Sequence, residues 1–133
     1  MYEYFDPNPR TQGTAGDCVI RALSLVLAKS WSEVYLELAM LGFRMGDMMS
    51  ANHVWGEYLK QNGFVKRSLP DTCPACYTVK DFCFDNPRGI CVLATGSHVV
   101  AVVNGDYFDA WDSGREVPVY YYTRKSESRQ YAY

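Results

Sequence analysis

Residues 16–29 read GDCVIRALSLVLAK. Val19, Ile20, Ala22, Leu23, Leu25, Val26 and Leu27 make this stretch apolar almost all round, with only Arg21 and Ser24 interrupting. A helix that is apolar on most faces is buried. The stretch is therefore expected to be the central helix of the domain, with Cys18 in its first turn. A thiol there lies near backbone N–H groups without intrahelical partners and near the positive end of the helix dipole. Both favour the thiolate.

The neighbouring segments extend this reading. Ser30-Trp31-Ser32-Glu33 is a capping box and starts a second helix, running to about Phe43, with Gly42 and Gly46 bracketing its end. A third helix is expected from Ala51 to Gln61, stopped by Asn62-Gly63. The period then changes. Strands are expected at 64–69, 89–95, 98–103, 107–112 and 117–123, with a loop at 70–77 and a short helix at 79–84 capped by Thr78. Asn104-Gly105 is a hairpin signal. Helices first and an antiparallel sheet second make the fold class α+β. Pro7, Pro9 and Gly13 make residues 1–15 irregular, and the polar tail 124–133 is expected to fray.

A chain of 133 residues fits one domain, 1–133. A formal net charge of −2 gives no phosphate-binding surface, so nucleic acid is not an expected partner. No apolar run approaches the roughly 18 residues of a membrane span. Residues 1–10 are polar, aromatic and proline-containing, unlike a signal peptide. Five cysteines, an odd number without an export signal, argue for a reducing cytoplasm rather than a disulfide framework.

The segment Gln12-Gly13-Thr14-Ala15-Gly16-Asp17-Cys18 resembles the nucleophile segment Gln-Gly-x-x-Gly-x-Cys of the papain-like cysteine peptidases. The resemblance continues at Gly96-Ser97-His98, where a histidine begins a strand, and at Asp112-Ser113-Gly114. The short span between the histidine and the acid is more similar to compact bacterial members, such as bacteriocin-processing peptidases, than to plant or lysosomal enzymes. The resemblance implies a minimal papain-like fold: a helical half carrying Cys18, a twisted antiparallel sheet carrying His98, and a cleft between them. It implies Cys18 as nucleophile, His98 as general base and Gln12 as oxyanion donor, with the Cys18 backbone N–H as the second donor.

Which carboxylate orients His98 depends on register. If Asn104-Gly105 closes a two-residue turn, Val103 pairs with Asp106, and Asp109 shares the face of His98. With a three-residue loop or a bulge, His98 sits opposite Asp112. The resemblance favours Asp112, with Asp109 as the alternative. His53 is expected on an exposed helix face, which leaves His98 as the natural base. Trp111 is expected to shield the bond between His98 and its acid.

Cys73-Pro74-Ala75-Cys76 could supply half of a zinc site with Cys83 and Cys91. Those two fall in a helix and an apolar strand without a second close-spaced pair, so two loop cysteines and two core cysteines are expected, and no metal. Tyr120-Tyr121-Tyr122 is read as sheet packing, and Met45, Met48 and Met49 as loop filling.

The expected activity is a cysteine peptidase-like hydrolase. It would act on a peptide, isopeptide or amide bond through a thioester acyl-enzyme, on a peptide or protein substrate and without a cofactor. The alternatives are an acyltransferase or transglutaminase-like enzyme on the same site, and a catalytically silent binding or inhibitor module.

Overall fold

A computed structural model describes residues 1–13 and 15–124. The expected fraying of the tail falls outside these residues from position 125 onward. Four helices pack on one six-stranded sheet. In chain order the elements are β1 (Tyr2–Tyr4), α1 (Cys18–Leu27), α2 (Trp31–Met45), α3 (Asn52–Gln61), β2 (Phe64–Ser68), α4 (Val79–Asp85), β3 (Ile90–Ala94), β4 (Val99–Val103), β5 (Asp106–Asp109) and β6 (Tyr120–Arg124). The strand order is β1-β5-β4-β3-β6-β2. The α+β class and the helices on the sheet are as the sequence predicts.

The local signals act as expected. Ser30 and Glu33 form a reciprocal capping box on α2, and Thr78 and Asp81 form another on α4. Asn104 and Gly105 both take positive φ, 51° and 81°. This is the geometry a two-residue hairpin turn requires, and Val103 pairs with Asp106.

The sheet departs from the expected antiparallel arrangement at one edge. Residues 2–4, expected to be irregular, form β1, which pairs parallel with β5, Tyr2 opposite Tyr107 and Tyr4 opposite Asp109. The sheet is therefore mixed. A three-residue strand has too few residues for a periodic signal, and its partner lies more than a hundred positions away.

Apolar side chains cover both faces of β3 and β4, which read as continuous apolar runs for that reason. On one face, Leu23, Val34, Leu38, Trp55 and Leu59 of α1, α2 and α3 pack with Phe64, Val92, Ala101 and Tyr122. On the other, Val79 and Phe82 of α4 pack with Leu93, Val100, Val102 and Tyr107. The tyrosine run is sheet packing. Tyr120 stacks on Trp55 at 6.2 Å, Tyr122 meets the same ring edge-on at 5.6 Å, and Tyr121 turns to Phe82 at 4.9 Å.

Cys73 and Cys76 form a disulfide, and the described free cysteines are Cys18, Cys83 and Cys91. This corrects the expectation of two reduced loop cysteines. The CxxC lies in an exposed turn that brings the two Cα atoms to 4.1 Å. Cys83 and Cys91 are core residues, as expected. Among the described residues no group of histidine, cysteine or acidic side chains could hold a metal ion, and no helix is long and apolar enough to cross a membrane.

Candidate active site

Cys18 is the first residue of α1, and the N-cap is Asp17. Aspartate commonly caps a helix by accepting from its first-turn N–H groups. Asp17 makes no such bond. Its Oδ1 accepts from Arg21 at 2.6 Å, and its Oδ2 accepts from the Trp31 indole at 2.9 Å and from the Asn8 amide at 3.2 Å. The carboxylate faces those donors, so the N–H groups beside Cys18 keep their positive potential.

His98 immediately precedes β4 and lines the same cleft as Cys18. Its Nε2 lies 2.6 Å from Asp109 Oδ2. The other ring nitrogen, Nδ1, is left for the thiol, and Cys18 and His98 stand close enough across the cleft for each to shift the other's ionisation. Trp111 sits against the ring, 4.7 Å between centroids, and is itself 46% exposed. It packs on the histidine ring from the solvent side. His53 lies on an exposed helix face and pairs with Asp47 at 3.1 Å, far from this group in role.

The acid beside His98 is Asp109, the alternative, and not Asp112. The cause is the register. With Val103 opposite Asp106, β5 ends at Asp109, whose carboxylate reaches His98, and Asp112 falls beyond the end of β5. Asp112 instead accepts from the Tyr107 hydroxyl and from the Gly114 N–H. Asp109 is fully buried. Its Oδ1 accepts from Arg21 at 2.8 Å and from the Ala110 N–H at 2.8 Å. Its Oδ2 accepts from Ser113 at 2.6 Å in addition to His98.

Burial opposes charge on all three groups, and their partners override it. The Cys18 thiol is pulled below its ordinary value by hydrogen bonding to His98, by the imidazolium charge, by the Val99 N–H and by Arg21. The His98 ring is pushed up to about 9 by Asp109 and Cys18 against the penalty of burial. Asp109 is held below the usual carboxylate range by His98 and Ser113. The two core cysteines go the other way, since burial raises Cys83 to about 11 and Cys91 upward as well. Cys18 is thus the thiol whose surroundings favour ionisation.

The cleft at Cys18 has a volume of about 620 Å³ and runs between the N-terminal loop, α2, α3 and the β3–β4 turn. Trp31, Tyr35, Leu38 and Met49 give it an apolar side, and Asn8, Thr95 and Ser97 a polar one. Met49 therefore does more than fill its loop. Gln12, expected as oxyanion donor, is exposed and lies outside the cleft lining. Its loop turns at Gly13, where φ is 81° and the N–H donates to Asp6. The backbone donor that acts on the thiol is the Val99 N–H, while Cys18 itself opens α1.

Sequence reasoning passed over Asn8, Asp17, Trp31 and Ser113. Arg21 did give a signal: a charged residue within a helix apolar on all sides must find a partner. No family model, curated protein or solved structure matches this chain.

Proposed function

We propose that this chain is a compact papain-like cysteine peptidase or amidohydrolase that opens a peptide, isopeptide or other amide bond through a thioester acyl-enzyme. The observation that carries the reading is Cys18, at a helix N-terminus, sharing one cleft with a His98 whose ring is held by Asp109 at 2.6 Å. A nucleophile hydrogen-bonded to a base that is oriented by a third group is the general arrangement for covalent catalysis.

The chemistry follows from the geometry. The Cys18 thiolate adds to the substrate carbonyl carbon, and the negative charge moves to the carbonyl oxygen. The N–H groups opening α1 stabilise that oxyanion, each such donor being worth about 3 kcal/mol. The C–N bond then breaks as His98 gives its Nδ1 proton to the leaving amine. A thioester remains on Cys18, and neutral His98 accepts a proton from the water that hydrolyses it. Asp109 keeps the imidazole in one orientation and stays ionised throughout. The apolar side of the cleft suits side chains of a peptide or protein substrate. An amine in place of water would make the same intermediate an acyl-transfer step. No cofactor enters this sequence. A thiolate enzyme of this kind fits the reducing cytoplasm, where reduction of the exposed Cys73–Cys76 bridge would leave the core untouched.

The test is the pH dependence of iodoacetamide alkylation, mapped to each cysteine by peptide mass spectrometry, on wild type and His98→Ala. The expected result is a Cys18 midpoint well below about 8.5 that returns to the ordinary value in His98→Ala. An ordinary midpoint in folded wild-type protein would sink the reading and leave a binding module on this frame.

A further inference from the structure

Arg21 is a buried arginine in the middle of an apolar helix, and it touches neither the cleft nor solvent to any extent. One guanidinium nitrogen, Nη1, bonds Asp17 at 2.6 Å, and the other, Nη2, bonds Asp109 at 2.8 Å. The two carboxylates belong to different parts of the chain. Asp17 precedes the nucleophile on α1, and Asp109 ends β5 and holds His98. Both are buried, so each needs a compensating charge.

We infer that Arg21 is a positioning residue that locks the turn bearing Cys18 to the carboxylate that orients His98. The inference deepens the proposed function and rests on its assignment of nucleophile and base.

The requirement for arginine follows from shape. A planar guanidinium presents donors in a fixed fork and can hold two carboxylates at once, while an ammonium is a single point charge. The lock reaches further on each side. Asp109 accepts four hydrogen bonds, from Arg21, Ala110, His98 and Ser113, so no acceptor direction is left for it to swing toward. Asp17 passes the constraint to Trp31 and Asn8, both of which line the cleft. The nucleophile, the base and two walls of the cleft thus hang on one side chain.

The electrostatic consequence has a definite sign. Without the guanidinium, Asp17 and Asp109 present uncompensated negative charge toward the thiol. Negative charge disfavours thiolate, so the Cys18 midpoint must rise. A side chain that only filled the core would lower stability on removal and leave that midpoint unchanged.

The experiment compares wild type, Arg21→Met and Arg21→Lys. It reads the pH midpoint of Cys18 alkylation and the solvent exchange of the His98 Nε2 proton by NMR. Folding is checked by thermal denaturation. For Arg21→Met the expected result is a midpoint above that of wild type and faster Nε2 proton exchange in folded protein. Should Arg21→Met fail to fold, Arg21→Lys keeps the charge but not the fork. It is expected to hold the midpoint near that of wild type while the Nε2 proton still exchanges at least severalfold faster. Wild-type midpoint and exchange in folded Arg21→Met, or unchanged exchange in Arg21→Lys, would overturn the inference. An ordinary Cys18 midpoint in wild type defeats the proposed function instead, and the exchange measurement then still decides whether Arg21 locks His98 to Asp109.

Discussion

Asp112 and Tyr107 are bonded to one another through the tyrosine hydroxyl, while the carboxylate bonded to His98 is that of Asp109. Tyr107 is buried under α4. Gly114 lies so close to it that an added Cβ would strike its hydroxyl. Asp112 therefore anchors the turn after β5, and Asp109 serves His98. Asp109→Asn is expected to lower the rate of acylation by p-nitrophenyl acetate on the order of 10²-fold or more, the scale of a lost acid–base contribution. Asp112→Asn should leave the Cys18 alkylation midpoint where it is in wild type. Loss of the depressed midpoint in Asp112→Asn, with Asp109→Asn unaffected, would reverse the assignment.

The pH profile has a sign on each limb. Thiolate formation at Cys18 begins below the ordinary thiol range, so acylation rises from the acid side earlier than for a free cysteine. His98 is protonated up to about 9, against an ordinary value of 6.5. Its folded-state value is raised, so the stability it contributes is fully present below about 6.5 and is lost as pH rises through about 9. Activity that requires the imidazolium falls over the same upper range. Because the two groups titrate as a pair, Cys18→Ala should bring the His98 value down from about 9, since one of its two partners is gone. It should stay above 6.5 because Asp109 remains, and NMR titration of the ring protons measures it directly. An unchanged value would mean that the thiol and the imidazole do not interact.

The cysteines should separate cleanly in a labelling experiment. Without reductant, Cys73 and Cys76 are blocked by their bond. Cys83 and Cys91 are buried and their thiols are raised, Cys83 to about 11. Near neutral pH the expected order is Cys18 first, with Cys83 and Cys91 far behind, and Cys73 and Cys76 labelled only after reduction. Labelling of Cys73 at the rate of Cys18 before reduction would contradict the bridge.

Gln12 offers a direct comparison between resemblance and geometry. An oxyanion donor of the resemblance's kind would cost roughly 10² to 10³ in rate on removal. Gln12 is exposed and outside the cleft lining, so Gln12→Ala should change acylation by p-nitrophenyl acetate by less than about tenfold. A loss on the larger scale would return the donor role to Gln12.

Gly42 sits where α2 ends, and a Cβ there would lie 2.8 Å from the Asp47 carbonyl oxygen and 3.2 Å from the Met49 N–H nitrogen. Those are backbone atoms of the loop that carries Met49 and Ser50 into the cleft. Gly42→Ala is expected to cost about 1–3 kcal/mol, the usual range for overpacking, as measured by urea denaturation. A change within a few tenths would mean that the loop yields freely.

Much of this fold is legible where the signal is local. Ser30 with Glu33 and Thr78 with Asp81 announce helix starts because each box closes within four residues. Asn104-Gly105 announces a tight turn because both positions need positive φ. The helix bearing Cys18 shows in its own composition. What stays hidden is pairing at a distance. β1 has no local signature, since only β5 gives it hydrogen bonds. Arg21 is visible as a misfit in an apolar helix, while Asp109 lies 88 positions away. The choice between Asp109 and Asp112 rested on one residue of register, which the turn sequence allowed but did not force. Gln12 was singled out by a short motif, and a motif carries no information about where its loop turns.

The separation of Arg21 and Asp109 along the chain has a consequence for the order of events during synthesis. A ribosome finishes α1 long before it makes His98 or the strand that ends in Asp109. Until β4 and β5 arrive, Cys18 is an ordinary thiol on an incomplete domain, with neither a base nor a closed charge network. Contacts of such long range form late and together. The activated thiolate is therefore a property of the finished tertiary structure, and before β4 and β5 dock Cys18 has only the reactivity of an ordinary thiol. For the same reason, the labelling rate of Cys18 at mildly acidic pH would serve as a built-in clock for folding, rising only when the last strands have docked.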